Sequence, residues 1–263
     1  MDRGKEDHRD LLEALRGVRA LLAGCLMAGI RDWPAPTPSS EATASPAPSP
    51  GFELPPRPDP ASPEAEAATV PATDNETLLS GIAMKTVDCR RCRLHTGRST
   101  VVFGEGACRP RLVFVGEGPG YDEDQQGRPF VGRAGKLLDK MIGALGFQRG
   151  DVYICNVVKC RPPENRTPNT DEIEACSPFL FEQLEALKPE VICALGVCAA
   201  QTLLSTASSM SRIRGKIQRW RGIPLVCTFH PAYLLRSPSQ KANAWQDMLV
   251  LRRLLNRGEK QDG

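Results

Sequence analysis

Four short apolar runs in the C-terminal part of the chain predict the strands of a buried sheet. They are "RLVFVGE" (111–117), "DVYICNVVKC" (151–160), "PEVICALG" (189–196) and "IPLVCTFH" (223–230). Strands that are apolar on both faces are typical of a parallel sheet covered by helices on both sides. Helical periodicity follows at 134–146, 170–187, 197–205 and 240–257. This alternation predicts a three-layer α/β/α sandwich with a central, mostly parallel four-stranded sheet.

The first part of the chain has a different pattern. Leucines and a valine at helical spacing within residues 8–30 predict an amphipathic helix. Residues 33–71 contain 12 prolines, a composition that favours an extended, disordered linker. We therefore predict an N-terminal helix at 1–32, a linker at 33–77 and one folded domain at 78–263. The tethered helix could bind a protein partner or self-associate, with an inert tail as the equal alternative.

Charge and cysteine content indicate the kind of binding partner and the cellular compartment. Residues 81–263 hold 27 Lys and Arg against 18 Asp and Glu, a balance of +9, whereas residues 1–80 have a balance of −6. A basic domain attracts polyanions, of which nucleic acid is the usual one. Ten cysteines with no secretory leader favour a reducing compartment. The apolar run at 20–30 is too short to span a bilayer, so we expect a cytoplasmic protein with no membrane association.

Three polar residues lie at or just beyond the ends of predicted strands. Glu117 follows the first strand, Asn156 lies in the second half of the second, and His230 follows the fourth. Sites in open parallel sheets form beyond the carboxyl ends of the strands. Each residue alone has an ordinary structural interpretation: a helix-start acid, a strand-end hydrogen bonder and a turn residue before Pro231. Together they favour a shared pocket.

The cysteines suggest a second site. Cys89 and Cys92 have the C-x-x-C spacing that points two thiolates at one metal. From the pattern alone Cys108 is a possible further ligand, and zinc is as acceptable as an iron–sulfur cluster.

Four motifs together resemble one family. "GEGPGYDEDQQGRPFVGRAG" (116–135), "YICNVVKCRPPENRTP", "EACSPFL" and "HPAYLLR" are similar, in this order and over roughly 85–257, to those of the family 4 uracil-DNA glycosylases, the iron–sulfur branch of their superfamily. The resemblance implies a [4Fe–4S] cluster on Cys89, Cys92, Cys160 and Cys176, selecting Cys160 over Cys108. It also implies a bacterial or archaeal repair enzyme that acts as a monomer.

The resemblance also implies a base pocket. Phe130 matches the stacking aromatic, and Asn156 is suited to the uracil O4/N3 edge because a carboxamide offers a donor and an acceptor. Gly118 and Gly120 would let the backbone approach the base. Glu123 matches the residue that excludes the methyl group of thymine. Asp122 and Asp124 are expected to be solvated, and Tyr121 departs from the acidic residue common at its position.

For the chemistry, the resemblance implies an anion near C1′ and a donor at uracil O2. His230 matches the donor. Glu117 is the leading candidate for placing the attacking water, and Asn165 an auxiliary one.

The last motif resembles a loop that enters the DNA minor groove. Leu234 or Leu235 would fill the gap left by the flipped base, with Arg236 on phosphate; both leucines could instead be core. The basic segment 212–221 is expected to contact the DNA backbone or to form a solvated hairpin face.

The function so implied is removal of uracil from single- or double-stranded DNA, leaving an abasic site, with no lyase step. Two alternatives are a nucleic-acid-binding protein that a metal stabilises and that has no catalytic activity, and an iron–sulfur redox protein. The second lacks a dinucleotide fingerprint, since "GEGPG" is not G-x-G-x-x-G.

Overall fold

A computed structural model describes residues 74–258 of the chain. The predicted N-terminal helix and most of the predicted linker lie outside the described residues. The first described helix, α1 (Asp74–Val87), begins four residues before the expected domain boundary. Residues 74–77, which we assigned to the linker, are therefore helical.

The described chain forms one mixed sheet of six strands. They are β1 (Glu105–Gly106), β2 (Leu112–Gly116), β3 (Tyr153–Asn156), β4 (Val191–Leu195), β5 (Ile217–Trp220) and β6 (Ile223–Thr228), in the spatial order β1-β3-β2-β4-β6-β5. The four central strands pair in parallel, which confirms the four apolar runs as a parallel sheet.

The predicted number of strands was too small, because an antiparallel strand closes each edge of the sheet. β1 pairs with β3, and β5 pairs with β6. Neither edge strand carries a buried apolar run: β1 has two residues, and in β5 only Trp220 is buried. Edge strands need no apolar residues on both faces, so the hydrophobic pattern did not reveal them.

Helices follow or precede each central strand. They are α2 (Tyr121–Gln126), α3 (Arg133–Ala144), α4 (Thr170–Leu187), α5 (Val197–Leu204), α6 (Met210–Ile213), α7 (Pro231–Arg236) and α8 (Lys241–Gly258). The four helices expected from periodicity are α3, α4, α5 and α8. Their presence is confirmed, with ends that differ by no more than two residues from the predicted ones.

Successive residues of the central strands pack on opposite sides of the sheet. In β2, Val113 and Val115 join a core cluster with α1, α4 and α5, while Leu112 and Phe114 join a second cluster with α3 and α8. Because successive strand side chains point to opposite faces, each central strand contributes to the core cluster on both sides of the sheet. This confirms the three-layer sandwich.

The carboxyl ends of the parallel strands lie at the same end of the sheet. Gly116 is level with Asn156 across the β2–β3 pair, and Leu195 is level with Thr228 across β4–β6. The loops that follow these residues meet at this end. Within residues 74–258, no helix combines the length and apolar character that crossing a membrane requires.

Candidate active site

A pocket of about 420 Å³ opens beyond the carboxyl ends of the central strands. It brings together nine of the side chains or glycines predicted from the sequence: Glu117, Gly118, Gly120, Glu123, Phe130, Asn156, Asn165, His230 and Arg236. They come from segments that are far apart in the sequence, at and after the ends of β2, β3 and β6. Long-range convergence of this kind is what a binding site requires and what chance placement of polar residues does not give.

Gly116 allows the side chains of Asn156 and Phe130 to pack against the end of β2. A Cβ at this position would lie 2.3 Å from Asn156 Oδ1 and 2.6 Å from Phe130 Cζ, both closer than any allowed contact. Asn156 is buried, with 1% of its surface exposed, and its Oδ1 has no hydrogen-bond partner. An unpaired buried acceptor is costly unless a ligand supplies the donor. The pocket is therefore built to receive an N–H group at Asn156.

Phe130 holds its ring in the pocket through an unusual backbone conformation. Its φ of 51° lies in the left-handed region, which a bulky residue rarely adopts without tertiary support. Arg149 donates a 2.5 Å hydrogen bond to the carbonyl of Pro129. Gly135 in α3 packs so closely that a Cβ there would lie 1.7 Å from the Phe130 carbonyl oxygen. These contacts fix the ring with its centroid 5.5 Å from that of His230.

His230 presents a neutral imidazole with a defined tautomer. Its Nδ1 accepts a 3.1 Å hydrogen bond from the backbone N–H of Ala232 at the start of α7. The proton of the neutral ring must then be on Nε2, which makes Nε2–H a donor. Burial, assisted by the charge of Arg236, lowers the pKa of His230 to about 4. The ring is therefore neutral at physiological pH.

Glu117 is a partly buried carboxyl group at the end of β2. Burial raises its pKa above the ordinary value of 4.5. A carboxylate in such surroundings is a stronger base than one in water. It lies in the same pocket as His230, whose pKa burial shifts in the opposite direction.

Glu123 connects the two ends of the segment 120–132 through hydrogen bonds. Its Oε2 accepts a hydrogen bond from the N–H of Gly120 at 3.1 Å, and its Oε1 accepts from Val131 and Gly132 at 2.9 and 3.0 Å. The carboxylate is thereby held in one position at the pocket wall. This structural role was not foreseen from the sequence.

Asp124 is not the solvated residue that the sequence suggested. It is buried, with 1% exposure, and its two carboxylate oxygens accept from the backbone N–H of Ser99 at 2.9 and 3.1 Å. Ser99 thereby ties α2 to the segment that follows the C-x-x-C motif. Asp122, by contrast, is exposed.

The predicted DNA-contacting residues separate into two kinds. Leu234 is 2% exposed and packs in the core cluster of α3 and α8, so the prediction that it could enter DNA was wrong in this structure. Leu235 is 36% exposed, and Arg236 lines the pocket. Of the three residues predicted to contact DNA, Leu235 and Arg236 therefore remain candidates.

The basic segment 212–221 is largely engaged within the protein. Arg214 binds Asp247 at 3.0 Å, Arg219 donates to the Gly222 carbonyl at 2.7 Å, and Arg221 pairs with Glu185. These arginines stabilise the β5–β6 edge, which reduces the charge that the segment offers to a DNA backbone.

Four cysteines line a second, smaller cavity. They are Cys89, Cys92, Cys160 and Cys176, whereas Cys108 does not line it. Arg98 donates to Cys160 Sγ at 3.3 Å, and the backbone N–H of Lys159 donates to Cys176 Sγ at 3.3 Å. Among residues 74–258 no three His, Cys, Asp or Glu side chains are arranged to hold a metal ion.

The cysteine cavity and the pocket are connected by a short segment. Arg98 also donates to the carbonyls of Cys89 and Val87 at 2.8 and 2.9 Å. The next residue, Ser99, is the one that binds Asp124. The dipeptide Arg98–Ser99 therefore joins the cysteine cavity to helix α2, which contains Asp124.

Two residues that the sequence analysis did not single out help to build the site. Gly116 is the last residue of β2, and its lack of a Cβ leaves space for the side chains of Asn156 and Phe130. Arg161 donates to Asn165 Oδ1 at 2.8 Å, a contact that depends on the left-handed backbone of Glu164 and Asn165. No local pattern predicts that turn.

Comparison with known proteins agrees with this geometry. Residues 103–249 match the model of the uracil DNA glycosylase superfamily, so the chain belongs to that class of protein. It is 48% identical to the type-4 uracil-DNA glycosylase of Thermotoga maritima over 168 residues, which are 63% of this chain and 88% of that protein. It is 41% identical to the type-4 uracil-DNA glycosylase of Archaeoglobus fulgidus over 191 residues, 70% of this chain and 95% of that one. Within the superfamily, the chain belongs to the type-4 uracil-DNA glycosylases.

A more distant relative places the chain within that superfamily. Identity to a type-5 uracil-DNA glycosylase of Pyrobaculum aerophilum is 32% over 181 residues, 56% of this chain and 80% of that protein.

Proposed function

We propose that this protein removes uracil from DNA by hydrolysing the bond between the base and the sugar. The observation that carries the proposal is the buried, unpaired Oδ1 of Asn156 in the same pocket as Glu117 and His230. Membership of the type-4 family supports it. A base inside a stacked duplex cannot reach such a pocket, so the nucleotide must rotate out of the helix first.

Asn156 provides the base selection. Uracil presents an N3–H donor to Oδ1 and an O4 acceptor to the amide nitrogen. Cytosine presents an acceptor at N3, which would leave Oδ1 unpaired and facing a lone pair. A site built to hydrogen-bond one edge discriminates strongly against the other, because its buried groups are left unpaired.

Phe130 is proposed to stack on the base, because its ring offers an apolar face in the pocket. The missing Cβ of Gly116 leaves room for the side chains of Phe130 and Asn156 at the end of β2. Glu123, held by three backbone N–H groups, is proposed to occupy the space that the methyl group of thymine would need. Gly118 and Gly120 line the same pocket without side chains.

His230 and Glu117 are proposed to carry the chemistry. As the bond to the base lengthens, negative charge develops on uracil O2 and positive charge on the sugar. The Nε2–H of neutral His230 donates to O2 without transferring its proton. Glu117 as a carboxylate stabilises the sugar cation and orients the water that attacks C1′. Asn165, held by Arg161, is proposed to assist in placing this water.

The residues are consistent with a glycosylase that lacks a lyase step. No lysine is among the described residues that line the pocket, so this set of residues includes no amine for a Schiff base with the sugar. The product is then free uracil and an intact strand with an abasic site.

We propose that the four cysteines of the second cavity bind an iron–sulfur cluster. Four thiols line it together with Arg91, Arg98 and Lys159, and cationic groups compensate the negative charge of bound thiolates. Four cysteine thiolates are the usual ligands of a [4Fe–4S] cluster. Such a cluster, when bound, would link the segment after α1 to the end of β3 and to α4. We assign it this structural role, and the residues of the base pocket perform the reaction.

The test is a uracil-release assay. Wild-type protein, made in a host without its own uracil glycosylase, is incubated with end-labelled strands that carry uracil, thymine or cytosine at one position, and then treated with hot alkali. Cleavage at uracil alone, and no cleavage before alkali, is expected. A Glu117→Ala/His230→Ala double variant purified in parallel excludes a contaminating enzyme. Absence of uracil release by the wild type on both single and double strands would refute the proposal.

A further inference from the structure

Tyr121 is an exposed aromatic ring beside the base pocket that the proposed reaction does not use. It is the first residue of α2 and directly follows Gly120, which lines the pocket. Its relative exposure is 58%. Burying such a ring is favourable, so its exposed surface is available to a ligand that extends beyond the pocket.

The ring is held on one face by Arg161. The guanidinium carbon lies 5.0 Å from the centre of the Tyr121 ring, within the range of a cation–π interaction. Arg161 is in turn fixed by its hydrogen bond to Asn165 Oδ1 at 2.8 Å. Asn165 lines the pocket and has a left-handed φ of 55°. Tyr121 is therefore supported by a fixed part of the pocket wall.

We propose that Tyr121 is a stacking platform for the base next to the flipped uracil on the same DNA strand. This inference rests on the proposed function. When one nucleotide leaves the stack, a face of its neighbour loses its partner, and the strand must pass over the pocket rim within one nucleotide of the uracil. Arg161 occupies one side of the tyrosine ring and leaves the other side open to a nucleobase. Stacking on an aromatic side chain is independent of base identity, which suits an enzyme that meets uracil in any context.

The positive charge of Arg161 supports the same occupant. An aromatic ring combined with a cation is the usual arrangement for holding single-stranded nucleic acid, where bases stack and phosphates are attracted. Arg236 also lines the pocket and would offer a second positive charge to the phosphates of the strand.

The experiment measures binding of full-length protein to single strands with one 2′-fluoro-2′-deoxyuridine, whose fluorine slows cleavage of the glycosidic bond. Three strands are compared: one with all bases present, one with a tetrahydrofuran spacer on the 5′ side of the uridine, and one with the spacer on the 3′ side. On the complete strand, Tyr121→Ala is expected to raise Kd by about 5- to 150-fold. On one of the two spacer strands the wild type should bind as weakly as the variant, so that the difference between them disappears.

Two control variants separate stacking from other effects. Tyr121→Phe keeps the ring and should bind all three strands like the wild type. Met84→Ala removes another exposed side chain, 77% exposed on α1, and should change no Kd. Equal thermal unfolding of all variants excludes misfolding.

The inference is overturned if Tyr121→Ala leaves Kd unchanged on the complete strand, or weakens binding to all three strands by the same factor. Failure of the proposed function is a separate outcome: the wild type would then release no uracil from the matching strand that contains ordinary deoxyuridine.

Discussion

At the scale of single residues, burial shifts the pKa values of two groups in one pocket in opposite directions. It raises the pKa of Glu117 and lowers that of His230 to about 4. Each shift favours the uncharged form. The reaction that we propose needs the carboxylate of Glu117 and the neutral form of His230. The lowered pKa of His230 keeps it neutral over a wide pH range. The raised pKa of Glu117 narrows, from the acid side, the pH range in which it is a carboxylate.

Glu117→Gln is expected to lower the single-turnover rate of uracil release by about 10²- to 10⁴-fold, since the variant cannot provide a negative charge or accept a proton. DNA binding should stay close to that of the wild type. Rapid-quench kinetics and anisotropy measure the two separately. Loss of binding without a change in rate would show that Glu117 acts in recognition instead.

The same variant should be more stable than the wild type at high pH. The folded-state pKa of Glu117 lies above the unfolded value, so ionisation opposes folding. This cost is absent below the ordinary pKa of 4.5 and grows as pH rises until the folded-state pKa is passed. Thermal unfolding should show a stability advantage of Glu117→Gln that is largest above the folded-state pKa and disappears as the pH is lowered toward 4.5. An advantage independent of pH would contradict the assigned cause.

His230→Ala is expected to lower the rate by about 10²- to 10³-fold through loss of one donor to the leaving group. Because wild-type His230 is already neutral well below pH 6, its titration should produce no step in the wild-type rate between pH 6 and 8. Activity should instead fall on the acid side as Glu117 becomes protonated. A rate that decreased as pH rose through 6.5 would indicate a charged histidine as the active form.

At the scale of elements, helix α3 shows how closely packing determines the site. Gly135 and Gly143 both lie in this helix, yet a Cβ at Gly135 would meet the Phe130 backbone, and one at Gly143 would meet nothing within 4 Å. The left-handed turn at Phe130 thus depends on one missing methyl group in a helix that follows it.

This pair gives a matched test. Gly135→Ala should destabilise the protein by about 3 kcal/mol or more, since the helix or the Phe130 turn must move. Gly143→Ala should stabilise it by up to about 1 kcal/mol, as expected for alanine in a helix. Denaturant unfolding measures both. Similar effects of the two substitutions would mean that the Phe130 turn does not rest on α3.

The cysteine cavity gives a second test with a matched control. Cys92→Ser should yield protein with little iron and sulfide and a lower unfolding temperature, because a proposed ligand is lost. Cys108→Ser changes a cysteine outside the cavity and should retain wild-type iron content and colour. Iron and acid-labile sulfide analysis and visible absorption distinguish them. Zinc in place of iron, or loss of metal in both variants, would contradict the assignment.

The sequence predicts elements better than it predicts their contacts. The four central strands follow from buried apolar runs, and α3, α4, α5 and α8 from helical periodicity, because both signals are local. The edge strands β1 and β5 and the left-handed turns at Phe130 and Asn165 have no such signal, since distant packing determines them. The burial of Asp124 shows the same limit: its partner, Ser99, lies in another segment.

The site residues could be found because strand ends are readable in the sequence. Glu117, Asn156 and His230 each stand at or after an apolar run, and the parallel order of the strands brings them together. The strand ends do not predict that Leu234 lies in the core or that arginines of 212–221 pair within the protein. Leucine and arginine suit an exposed or a packed position equally well.

At the scale of the whole molecule, the matched relatives correspond to only part of this chain. The alignment to the Thermotoga maritima protein covers 88% of that protein but 63% of this chain, and the superfamily match begins at residue 103. We therefore propose that residues 1–73 are not needed for uracil release.

A variant that starts at residue 74 is expected to release uracil from a short oligonucleotide at the wild-type single-turnover rate. The residues that line the pocket all lie within the retained part. The assay compares both forms at equal iron content, with thermal unfolding as the control for folding. A large loss of rate with unchanged stability would give the N-terminal segment a part in the reaction itself.

The dipeptide Arg98–Ser99 contacts both sites at once, through Cys160 on one side and Asp124 on the other. A displacement of Arg98 at the cysteine cavity would therefore also displace Ser99 and, through Asp124, helix α2, whose Glu123 lines the base pocket. The geometry of the pocket is in this way coupled to the state of the cysteines.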